Sequence, residues 1–278
     1  MAADLRRGRL TPIGWAGLIV GAAIMLAPLI WTLLLSLKDN AELVGHSEAA
    51  LRAPYTLNNY AAILGNSLTL RWLLNSAIVA IGQTVGVLIL ASLAGYGFAR
   101  LDFPFRRPLF IFVLVGLAIP SQAVILVQHQ LFAWLHLHNS YPGLILPGLI
   151  APFGVFFMTT YMRGIPRELD EAAMIDGAGS FRILRSVIVP QAKAAIVAVS
   201  LFHFFFAWNE FFLPQVYLQS VPDLQPLAVG LSRFNSLYSQ EPTLIQAAAL
   251  MAMALPLIVF FVAQRAFMRG VVFSGVEK

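Results

Sequence analysis

Apolar residues in this chain gather in long runs that are apolar on every face, separated by short polar intervals. Six runs stand out, at about 13–37, 72–98, 108–127, 143–162, 194–213 and 244–263. A helix needs about 20 apolar residues to cross a hydrocarbon layer of about 30 Å, and each run is close to or above that length. Barrel strands would be shorter and would alternate, so the runs predict helices. The expected fold is all-α: a polytopic membrane protein with six transmembrane helices in one domain, 1–278.

The polar intervals carry an orientation signal. One side holds Arg6, Arg7, Arg9, Arg100, Arg106, Arg107, Arg163, Arg167, Arg182, Arg185, Lys193, Arg265, Arg269 and Lys278, which is 14 of the 18 basic residues. The other side holds Lys38, Arg52, Arg71 and Arg233. The positive-inside rule places the richer side, with both termini, in the cytoplasm, and an even number of spans gives the same result. The run at 13–37 is longer than the 7–15-residue core of a signal peptide, so it is read as an uncleaved first span.

Composition agrees with lipid as the solvent. The chain is 59% apolar and 11% charged, with mean hydropathy +0.78; soluble domains carry roughly 25% charge. The net charge of +5 reflects basic residues beside apolar spans and gives no reason to expect a nucleic-acid partner. The chain has no cysteine, which excludes disulfides and thiolate metal sites.

The most informative interval is 163–193. Gly164 ends span four, and Pro166 suits a first helical position. Glu168, Asp170 and Glu171 follow in the first turns, where the helix dipole favours acids. Gly177 and Gly179 predict a sharp turn. Ser180 is placed to cap a second short helix that Pro190 ends. Leu169, Ala172, Ala173 and Asp176, spaced three, four and seven apart, form a small apolar face with an acidic end, suited to a partner's groove. A lipid-lying helix would carry a larger apolar face and basic residues instead.

The residues Glu171-Ala172-Ala173, Gly177 and Val187-Ile188-Val189-Pro190 resemble the EAA motif of permeases of ATP-binding-cassette (ABC) importers. Two valines stand where the pattern has Ile and Leu. Further stretches, at 56–60, 94–104, 139–147 and 207–212, are similar to the smaller, maltose-type permease of carbohydrate importers. The resemblance implies a type I importer permease fold in the bacterial inner membrane. It implies that Glu171, Ala172, Ala173, Asp176, Gly177 and Pro190 belong to a coupling element docked on an ATPase. The implied partners are a second permease, two copies of the ATPase, an extracytoplasmic solute-binding protein and membrane lipid. ATP and Mg would then be bound by the ATPase, with no cofactor on this chain. The interval 215–243 would face the solute-binding protein.

No Walker lysine loop, nucleophile elbow or zinc cluster is present, so no catalytic or metal site is expected. Asn209 and Glu210, near the end of span five, are candidates for the substrate path or a subunit contact; a place at the water interface fits them equally. His136 and His138 alternate in a loop, but nothing supplies further metal ligands. The alternative function is a secondary transporter driven by an ion gradient. It would need intramembrane acid or base relays, for which only Glu210 is available.

Overall fold

The computed structural model describes residues 11–43, 50–218, 220–237 and 241–273, and no strand occurs among them. Arg6, Arg7, Arg9 and Lys278, on which part of the expected orientation rests, lie outside the described residues. The first elements are α1 (Pro12–Ser36), α2 (Asn40–Leu43), α3 (Asn58–Gly65) and α4 (Ser67–Arg100). α5 (Arg106–Val115), α6 (Ser121–Trp134), α7 (Tyr141–Gly148) and α8 (Pro152–Arg163) follow. Next come α9 (Glu168–Ile175), α10 (Ser180–Ile183), a π-helical turn over Leu184–Ile188, and α11 (Val189–Gln191). The remainder is α12 (Lys193–Trp208), α13 (Phe212–Tyr217), α14 (Leu227–Leu237) and α15 (Pro242–Phe273).

Among the described residues, four stretches are long and apolar enough to cross a membrane: Pro12–Ser36, Ser67–Arg100, Lys193–Tyr217 and Pro242–Gln264. α7 and α8, bent by 45° at a short break, make a fifth if taken as one span. The run at 108–127 does not form one continuous helix. It divides into α5, of 10 residues, and α6, of 14. Two residues account for the break. Pro120 has no N–H to give and pushes Ile119 away from helical geometry. Gly116 meets the start of α8 so closely that an added Cβ would lie 2.8 Å from Pro152 Cγ.

The chain divides into two compact units, 1–67 with 231–253 and 68–230 with 254–278. In the first, Thr11 caps α1 through its hydroxyl, which accepts from the Gly14 N–H at 3.2 Å. The apolar side chains of α1 are exposed around the helix, as suits a helix of spanning length set in an apolar medium. Lys38, beyond the end of α1, is 1% exposed. It is tolerated because it is saturated. Its Nζ pairs with Glu42 at 3.1 Å, donates to the carbonyls of Arg52 and Pro54, and sits over the Tyr55 ring.

The second unit is built on α4. Trp72, Asn75, Ser76, Val79, Gln83, Val87, Ala91, Gly95 and Ala99 form one buried stripe along its length, at the three-and-four spacing of a helix face. The lower half of the stripe joins Met158, Met162, Ile183, Leu184, Ile188, Ala195 and Val199 in a single core. α4 and α8 cross closely at Gly95, where an added Cβ would lie 2.8 Å from Met158 Cβ and 3.1 Å from the Thr159 backbone nitrogen. Backbone cannot yield as a flexible side chain can. Gly95→Val is therefore expected to destabilise the packing by about 1–3 kcal/mol, read as a lower melting temperature of the detergent-solubilised protein; an unchanged melt would show that the crossing is loose.

Candidate functional site

The segment 163–193 folds as its local signals require, with three adjustments. α8 ends at Arg163 with Gly164 as its cap, and Glu168, Asp170 and Glu171 occupy the first turn of α9. Pro166 lies two residues before that helix rather than at its first position, because Arg167 is the N-cap. Gly179, not Ser180, is the N-cap of α10. Pro190 does not end the second helix: the chain stays helical to Gln191. The π turn at 184–188 explains the tolerance. The Val189 N–H reaches back to the Leu184 carbonyl, and this wider turn absorbs the proline that follows.

Gly177 takes φ +78° and turns the chain between α9 and α10. The Gly177 N–H donates to the Met174 carbonyl at 3.0 Å and the Ala178 N–H to the Ala173 carbonyl at 2.9 Å, which satisfies the end of α9. A β-branched residue there carries a left-handed penalty of about 1–2 kcal/mol. Gly177→Val is expected to lower the melting temperature of the detergent-solubilised protein clearly more than Gly177→Asn, whose side chain accepts that backbone; equal effects would exclude the turn as the cause.

Exposure on α9 divides the expected face. Glu171, Ala172 and Asp176 are exposed, whereas Ala173 turns toward the core with Ala178. Glu168, Glu171, Ala172 and Ile175, spaced three, four and seven apart, form the outward face. Ile175 is 87% exposed and Phe181, opposite it across the turn in sequence, 69%. Both apolar side chains thus stand exposed beside the carboxylates of α9. The sequence pattern does not single out Ile175 or Phe181; the phase of α9, fixed by the buried Asp170, turns Ile175 outward.

Asp170 is a third residue whose role the sequence pattern does not single out. Its carboxylate Oδ2 lies 2.8 Å from Arg100 Nε at the end of α4, with the two side chains 8% and 5% exposed. Arg100 Nη2 also donates to the Ile165 carbonyl at 2.6 Å. One guanidinium thus ties α4 both to the chain leading into α9 and to α9 itself. The Nε contact is an ion pair away from hydrogen-bond geometry, and Asp170 Oδ1 finds no donor among the described residues.

A second feature is a cavity of about 580 Å³ within the second unit. Three helix breaks line it: 116–120 between α5 and α6, 149–151 between α7 and α8, and 209–211 between α12 and α13. Irregular backbone at membrane depth is tolerated where it is buried or lines a cavity. Most of the wall is apolar, with Gln83, Ser121, Gln122, Gln128, His203 and Glu210 as polar groups. Gln83 donates through Nε2 to the Leu144 carbonyl at 2.9 Å. His203 Nε2 is buried without a hydrogen-bond partner among the described residues. Glu210 is half-buried, lines the cavity, and accepts from the Leu213 N–H at 3.2 Å, capping α13. Asn209 is exposed; its amide donates to the Phe205 carbonyl at 2.8 Å, and it is not among the cavity-lining residues.

His136 and His138 do not act as a pair. His138 stacks on Tyr217, meets the His129 ring edge-on, and shares a hydrogen bond with the His129 carbonyl through Nε2 at 2.9 Å. No group of three metal-ligating side chains occurs among the described residues.

The sequence profile of the family described as "Binding-protein-dependent transport system inner membrane component" matches residues 87–272. The chain is 31% identical over 279 residues to the osmoprotective compounds uptake permease protein GgtD of Synechocystis, covering 95% of this chain and 93% of that one. It is 32% identical over 257 residues to the arabinooligosaccharides transport system permease protein AraQ of Bacillus subtilis, covering 91% of each. Its fold matches a chain of the crystal structure of a bacterial ABC transporter involved in the import of the acidic polysaccharide alginate. That match has TM-score 0.79 and 21% identity, and covers 96% of this chain and 98% of the other.

Proposed function

The chain belongs to the family of binding-protein-dependent transport system inner membrane components, and we propose that it serves an importer of carbohydrates or polyols. It is a permease subunit of an ABC importer, and ATP hydrolysis belongs to a separate subunit. A family whose transport depends on a binding protein leaves the ion-gradient alternative without support.

The single observation that carries the mechanism is the outward face of α9, held rigid by the buried Arg100–Asp170 pair and presenting Glu171, Ala172 and Ile175. In our reading this face, with the Gly177 turn and Asp176, docks on the cytoplasmic ATPase dimer. Ala173 supports it from the core side, and Pro190, which is exposed, closes the same coupling element. ATP and Mg stay in that dimer, both termini of this chain are cytoplasmic, and a second permease completes the path. The segment 215–243 faces the solute-binding protein outside. Closure of the dimer moves the docked segment, and alternating access follows from the difference in docking energy between the two states. Glu210 and the other polar groups of the cavity supply hydrogen-bonding points to a hydroxylated solute, while Asn209 is left to a subunit contact.

Relatives named for arabinooligosaccharides and osmoprotective compounds support the solute class. The test is co-purification with the neighbouring subunits in lipid nanodiscs, followed by a screen of loaded binding protein for ATPase stimulation. Stimulation by an oligosaccharide or polyol is expected. Stimulation by amino acids or metal ions, with none from sugars, would overturn the assignment.

A further inference from the structure

α4 is a helix of 34 residues, roughly 51 Å long at 1.5 Å per residue. The other three long spans each contain a proline, at Pro28, Pro214 and Pro256; α4 contains none. Proline is a leading cause of sharp kinks, and α4 runs as one unbroken helix without it.

Each end of α4 grips a different segment through buried side chains. Near its start, Trp72 Nε1 donates to the Pro222 carbonyl at 3.0 Å. Asn75 Nδ2 donates to the carbonyls of Asp223 at 2.8 Å and Gln225 at 3.0 Å. The Ser76 hydroxyl accepts from the Leu227 N–H at 2.7 Å. Asn75 is itself oriented by the Tyr141 hydroxyl, which donates to its Oδ1 at 2.7 Å. Gly230 lies so close to the Trp72 ring that an added Cβ would fall 2.2 Å from it. The backbone of 222–230 is thereby fastened to α4. At the other end, Arg100 holds Asp170 and the Ile165 carbonyl.

We infer that α4 is a connecting rod that carries the arrival of the binding protein at 222–230 directly to the ATPase-docking helix α9. This rests on the reading above, in which 215–243 faces the binding protein and α9 the ATPase. Because the rod works in series, a break at either end interrupts the same signal. Asn75 and Arg100 are positioning residues: they touch neither solute nor nucleotide.

The test uses the whole complex, two permeases and two ATPases in nanodiscs, with loaded binding protein. Its readout is the ratio of stimulated to basal ATPase activity. Asn75→Ala and Arg100→Lys, which keeps the charge but lacks the fork that serves both partners, are each expected to lower that ratio at least threefold. The double variant is expected to be no lower than the weaker single, since a signal already interrupted has nothing further to lose. A ratio unchanged in either single variant, or losses that multiply in the double, overturns the rod. Gel filtration confirms assembly; where Arg100→Lys does not assemble, Asp170→Glu replaces it. The underlying reading is checked separately. The chain has no cysteine, so Asp223→Cys provides one reactive thiol for cross-linking to the binding protein. Failure to cross-link defeats the docking assignment, whereas cross-linking with multiplying losses defeats the rod alone.

Discussion

Asp170→Ala is expected to be the most damaging single substitution in the 163–193 segment, costing on the order of 3–5 kcal/mol. The reason lies in what it leaves behind. The Arg100 side chain is 5% exposed, and without Asp170 its charge stays buried with, among the described residues, the Ile165 carbonyl alone to answer it. The attraction lost is secondary to that unpaired charge. A second variant separates the two causes. Replacing both members by apolar residues of similar size, Arg100→Met with Asp170→Leu, removes the charge problem and is expected to recover most of the lost stability. Hydrogen exchange over the α9 amides, with thermal melting of the purified chain, measures both. A double variant as damaged as the single would show that the pair is held for its specific geometry rather than for charge balance.

The pair also marks where sequence reading stops. α9 itself was legible because its signals are local: Gly164 to stop the preceding helix, acids in the first turn, and Gly177 at positive φ to close it. What fixes its phase is not local. Asp170 is one of three acids in four residues, and nothing in their spacing says which one is buried. Its partner sits at the end of α4, a contact only the tertiary fold creates. The same limit explains Ala173, which pattern placed on the docking face and packing turns toward the core. The break in the 108–127 run was half legible. Gly116 and Pro120 were visible within it, but apolar length alone cannot tell a kinked span from two helices. The grip of Trp72, Asn75 and Ser76 on the backbone of 222–230 left no trace in the sequence, because backbone carbonyls and N–H groups are the same at every position.

Glu171→Arg is expected to leave the chain folded in the membrane while releasing or uncoupling the ATPase. Glu171 is exposed, with no ion pair among the described residues, so the fold loses little when it changes. Its docking contribution is a different matter. A charge-assisted contact closed away from water is worth more than a surface pair, and reversal adds repulsion to the loss of attraction. Ile175, 87% exposed and one turn further along, supplies the apolar part. Central interface residues of this kind cost about 2 kcal/mol or more when truncated, roughly thirtyfold in affinity. The two contributions have different signatures. Weakening by Glu171→Gln should shrink as ionic strength rises, because salt already screens the attraction that it removes. Weakening by Ile175→Ala should persist at high salt, because it removes buried apolar area. Capture of the ATPase by the detergent-solubilised permeases, titrated at low and high salt, resolves both, and import in proteoliposomes reads the consequence. If the charge-reversed complex imported solute at the wild-type rate, Glu171 would have no part in coupling, and the outward face of α9 would have to dock through Ile175 and its apolar neighbours alone.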